Sequence, residues 1–119
     1  MKVLATVFTL LIAVLHIGIL VLEMFYWDTP FGHRAFAMTP EAAASSMVLA
    51  MNQGLYNGFL AAGLIWGVVA ARADVKIFFL VCVLIAGIFG AVTAKPSIIV
   101  IQALPALITL VLTRLAYRR

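Results

Sequence analysis

Four stretches of nearly unbroken apolar residues make up most of this chain: Val3 to Phe25, Ala42 to Ala71, Ile77 to Ala94 and Ile98 to Tyr117. Each is near or above the ~20 residues that a helix needs to cross a hydrocarbon core. The pattern predicts helices over about 3–25, 40–71, 77–94 and 97–117, separated by short connections and one sizeable loop, 26–39. The first run follows Lys2, but it is too long for the apolar part of a secretory signal. It also ends in "EMFYWD", which offers no cleavage site of small residues, and it reads as a retained helix. Thr39 followed by Pro40 and Glu41 has the order of an N-cap, a first-turn proline and a carboxylate favourable to the helix dipole. Pro96 can start the last helix. Pro105 lies within it and removes one backbone hydrogen bond, which predicts a kink near Ile101.

Composition strengthens this picture. With 66% hydrophobic and 10% charged residues and a mean hydropathy of +1.23, a water-soluble fold would leave more apolar surface than it could cover. The expected architecture is all-α, a single domain forming a four-transmembrane-helix up-down bundle, multi-pass in the cell inner membrane, with the lipid bilayer as its surroundings.

Charge gives the orientation. Lys2, Arg72, Lys76, Arg114, Arg118 and Arg119 flank the N-terminus, the second connection and the C-terminus, whereas Arg34 and Lys95 stand on the other side. By the positive-inside bias both termini face the cytoplasm and the 26–39 loop lies outside. The net charge of +4 sits at segment ends, an anchoring pattern and not a nucleic-acid footprint, so no DNA or RNA partner is expected. Asp74 with Arg72 and Lys76 reads as a solvated turn, and the single cysteine, Cys82, as a small apolar residue.

Against so apolar a background the polar residues are conspicuous. "NQGLYNGFL", Asn52 to Leu60, carries three carboxamides and a phenol within a helix that must cross hydrocarbon. His16 and Glu23, seven positions apart, share one face of the first helix; Gln53 and Asn57 share a face of the second, as do Asn52 and Tyr56. At 1.5 Å per residue these groups, with Gln102 of the fourth helix, fall in the outer half of the membrane. Unpaired polar groups are costly in hydrocarbon, so these faces are expected to turn toward each other around an outward-opening recess with Tyr26, Trp27 and Phe31 at its rim as interfacial aromatics or a lid. Interhelical hydrogen bonding alone would account for one such amide; three beside a tyrosine exceed that need. No metal is expected, because His16 and Glu23 stand far apart along the axis and no HxxxH or HExxH spacing occurs. Gly54, Gly58, Gly63 and Gly67 give small-xxx-small spacings that let helices approach, and such faces would also serve a homodimer.

"HIGILVLEMFYW" followed by "NQGLYNGFLAAGLIWG" resembles the small bacterial membrane family called domain of unknown function 1304. His16, Glu23, Trp27, Asn52, Gln53, Gly54, Tyr56 and Asn57 stand at its hallmark positions. The resemblance spans essentially the whole chain and implies four helices, and it supplies no activity or cofactor. The leading functional expectation is a lipophilic small molecule held in a polar-lined outer cavity. Asn52, Gln53, Tyr56, Asn57, Trp27 and Gln102 would bind it, and His16 with Glu23 would form a proton-handling pair. The alternatives are a proton-coupled small-molecule transporter and a non-catalytic membrane scaffold or assembly partner.

Overall fold

In a computed structural model, which describes residues 1–118, the first apolar run is one helix, α1 (Lys2–Phe25), and the run containing the carboxamides is another, α3 (Pro40–Val69). The remaining elements are the short α2 (Pro30–Ala35), α4 (Ala73–Thr93), a π-helical turn (Ile99–Ala103) and α5 (Leu104–Ala116). Lys2–Phe25, Ala73–Thr93 and Ile99–Ala116 are long and apolar enough to cross a membrane. At 30 residues α3 has the length, and it is its polar positions that set it apart from those three. Large apolar side chains line the outside, Val92 being 81% and Phe89 69% exposed. Such a surface is at home in lipid and unfavourable in water.

The chain divides into two compact units: Met1–Val14 with Leu60–Arg119, and Leu15–Phe59. In the first, Ile12, Ala61, Leu64, Leu80, Val83 and Ala106 form the core. Small residues bring its helices together. A Cβ on Gly87 would lie 2.8 Å from the Ala103 backbone nitrogen, and one on Gly63 would collide with the Phe79 ring. The buried hydroxyls of Thr9 and Thr109 donate to the carbonyls of Ala5 and Pro105, both at 2.7 Å, so neither needs a partner from another helix.

The irregularity foreseen at Pro105 takes the form of the π turn. Proline has no N–H to donate and its ring crowds the carbonyl four residues back. The chain answers by widening one turn, in which the Leu104 N–H donates to the carbonyl of Ile99, five residues earlier.

One expectation is overturned here. Lys76 does not belong to a solvated turn: α4 begins at Ala73, ahead of the expected 77, and Lys76 is 1% exposed. Its aliphatic stem lies against Gly67, where a Cβ would sit 2.6 Å from Lys76 Cγ. Its ammonium donates to the Tyr117 hydroxyl at 3.1 Å and stands 4.5 Å from that ring's centre. The buried stem and the aromatic face together account for a lysine that has left water.

In Leu15–Phe59 the outer loop contains α2, a helix absent from the expected elements. Thr29 caps it, accepting from Gly32 N at 3.2 Å while donating to the Tyr26 carbonyl at 2.6 Å. It ends in a Schellman motif: Met38 N donates to His33 O and Ala37 N to Arg34 O. Ala37 at φ 51° takes the left-handed position that usually favours glycine. The Thr39 cap is as expected, accepting from Ala42 N at 3.1 Å.

Candidate functional site

All but one of the anticipated polar residues lie within Leu15–Phe59. Gly54 on α3 faces α1 closely enough that a Cβ would come within 2.6 Å of Met24 Cγ and 3.2 Å of Glu23 Cβ. At Gly58 a Cβ would stand 2.6 Å from Leu20 Cδ1. Without side chains at those two positions the helices draw near, and Asn57, one turn from Gly54, reaches across. Its Nδ2 donates to Glu23 Oε1 at 2.9 Å and to the Gln53 carbonyl at 3.1 Å. Both amide hydrogens are thereby used. Glu23 is 5% exposed and Asn57 half-buried. A hydrogen bond between helices is thus sheltered from the surroundings.

Other members of the expected recess do not join it. Asn52 is exposed and donates to the Val48 carbonyl of its own helix at 2.9 Å. Gln53 is exposed and enters the contact to Glu23 only through its main chain. Tyr56, 58% exposed, packs against Phe59 with ring centres 6.0 Å apart. Gln102 belongs to the other unit, where its Nε2 donates to the Val83 carbonyl at 3.2 Å. His16 is fully buried, on the same side of α1 as Glu23 and about 10 Å from it along the axis. Among the described residues no group of three His, Cys, Asp or Glu side chains could hold a metal ion.

Trp27 acts as a fastener. Its Nε1 donates to Ser46 Oγ at 3.0 Å, and its ring rests on Phe36 at 4.6 Å. Ser46 in turn donates to the Ala42 carbonyl at 2.6 Å, so the loop is tied to the first turns of α3. Ser46 escaped sequence reasoning, although a half-buried indole N–H has to find an acceptor. Asp28 and His33 pair at 2.8 Å at the loop surface.

The space in this unit lies elsewhere. A groove of about 690 Å³ runs along α1, lined by Leu15, Gly18, Ile19, Leu22, Tyr26 and Phe31 together with Val21. Its lining includes neither Glu23 nor Asn57. Gly18 supplies the room, since a Cβ there would meet nothing within 4 Å. Tyr26 is the one lining side chain with a polar group. Positions 15, 18, 19, 22 and 26 recur at helical spacing, but a stripe whose one polar group is the Tyr26 hydroxyl at its end does not stand out in a sequence already apolar throughout.

Comparison with known proteins agrees with the quoted motifs. The family model described as "Protein of unknown function (DUF1304)" matches residues 10–114. An uncharacterised protein, YpaA, from Lactococcus lactis subsp. lactis (strain IL1403) is 30% identical over 115 residues, covering 93% of this chain and 97% of the relative. No solved structure matches. The chain belongs to the DUF1304 family of proteins of unknown function.

Proposed function

We propose that this is a four-span protein of the cell inner membrane, with cytoplasmic termini, that holds a lipophilic small molecule along the outer half of α1. The fourth span would be α3, whose 30 residues correspond to about 45 Å of helix against a hydrocarbon core of about 30 Å. The basic residues at the N-terminus, the second connection and the C-terminus support the orientation.

The observation that carries the binding role is the groove, large enough for a chain-like apolar molecule. The Tyr26 hydroxyl would take the polar end of that molecule. Glu23 and Asn57 hold α1 against α3 and keep the groove's wall straight, so their role is positioning. Proton exchange at Glu23 would be secondary to that.

Gly18→Phe is the discriminating variant, because a Cβ at this position meets nothing within 4 Å and the ring beyond it would occupy the groove. Purified wild-type protein is expected to carry an apolar molecule detectable by native mass spectrometry, and Gly18→Phe to lose it with unchanged thermal stability. An empty wild-type protein, or a Gly18→Phe protein equally loaded, would refute the reading.

A scaffold role is the second reading. It is favoured by the bonds of Asn52 and Asn57 to carbonyls of their own helix. On that reading Asn57→Leu loosens the fold and no ligand is found in either protein.

A further inference from the structure

The unit formed by Met1–Val14 and Leu60–Arg119 has a polar feature of its own. A cleft of about 380 Å³ lies between the start of α4 and the end of α5, lined by Ala73, Asp74, Ile77, Arg114, Tyr117 and Arg118. We propose that this cleft binds the phosphate of an anionic phospholipid headgroup, a site independent of the groove along α1.

Charge is the first argument. The Asp74 carboxylate is already engaged by Arg72, which donates to it from Nε at 2.8 Å and from Nη2 at 2.5 Å. Among the described residues no carboxylate pairs with Arg114, Arg118 or Lys76. The two arginines of the cleft are therefore its uncompensated charges, and both are exposed to an incoming anion.

Tyr117 is the second argument. Lys76 Nζ donates to its hydroxyl at 3.1 Å, and Lys2 Nζ also stands over its ring at 5.3 Å from the centre. A phenol oxygen that accepts from an ammonium keeps its own hydrogen to give away, and the ammonium polarises that O–H toward an acceptor. Tyr117 lines the cleft. A phosphate there would meet two guanidinium groups and a polarised hydroxyl, with the buried Lys76 charge behind them.

Depth is the third argument, and it selects the source of the phosphate. Ala73–Thr93 and Ile99–Ala116 are both long and apolar enough to span a membrane. The cleft is at their ends, where headgroups lie, and Ile77 begins an apolar surface along which acyl chains can run.

The test uses the full chain in detergent, offered phosphatidylglycerol and phosphatidylcholine in equal amounts, with native mass spectrometry reading each lipid retained. Wild type is expected to prefer phosphatidylglycerol. The Arg114→Gln/Arg118→Gln double variant changes exposed residues and should fold normally. Its affinity for phosphatidylglycerol should fall about 30-fold, the effect of two basic contacts at about 1 kcal/mol each, with phosphatidylcholine unaffected. Tyr117→Phe should give a smaller loss of the same selectivity. Equal retention of both lipids by wild type, or unchanged preference in the double variant, would overturn the assignment. Displacement of phosphatidylglycerol by inorganic phosphate would also overturn it, in favour of a soluble phosphate ligand.

Discussion

Among the described residues each unit buries one acidic or lysine side chain, and the two burials are handled differently. In Leu15–Phe59, Glu23 at 5% exposure takes a hydrogen bond from Asn57 on another helix. In the unit containing α4 and α5, Lys76 at 1% exposure rests on an aromatic ring and a phenol oxygen. A carboxylate accepts, so it can be served by a carboxamide whose second hydrogen is kept by its own helix. An ammonium only donates, and its long stem lets it be buried mostly as hydrocarbon. The carboxylate therefore depends on one cross-helix bond, while the lysine depends on packing.

That contrast can be broken by mutation. The largest effect is expected from Asn57→Leu, which leaves the Glu23 carboxylate sheltered without its donor and should cost about 2–3 kcal/mol in denaturant unfolding. Gly54→Ala comes next, at about 2 kcal/mol, because the new Cβ would press on Met24 and on the Glu23 stem. Lys76→Met should behave in the opposite way to Asn57→Leu. It keeps the stem and removes the charge, so stability should be unchanged or higher, whereas Tyr117→Phe, which strips the ammonium of its acceptor, should cost about 1 kcal/mol.

The smallest change concerns backbone alone. Ala71, at φ 52°, closes α3 in a Schellman motif in which Arg72 N donates to Gly67 O and Ala71 N to Val68 O. Ala71→Gly should raise stability by about 0.5–1 kcal/mol, seen as a higher melting temperature.

These features differ in how far the sequence revealed them. The apolar runs announced α1, α3, α4 and the last helix, because a long apolar run that satisfies its own backbone is what hydrocarbon would demand. Pro40 and Pro105 marked a start and an irregularity, since proline acts locally. The pairing of Glu23 with Asn57 was legible as a shared need for partners, and Gly54 as the means of approach. The gathering of Asn52, Gln53 and Tyr56 around the same recess was not realised, because an amide can serve its own helix by reaching back four residues, as Asn52 does. In the sequence Lys76 looks solvated because its neighbours Arg72 and Asp74 are charged. Its burial depends on Gly67 and Tyr117, which lie far off in sequence. The groove beside Gly18 is defined by what is missing from the surface, and periodicity does not register a gap.

A double-mutant cycle between Glu23 and Asn57 bears most directly on the central claim, that one bond between α1 and α3 holds the carboxylate and steadies the wall of the groove. Unfolding free energies of wild type, Glu23→Leu, Asn57→Leu and the double variant should give a coupling of about 1–2 kcal/mol. Strict additivity of the two single effects would contradict it.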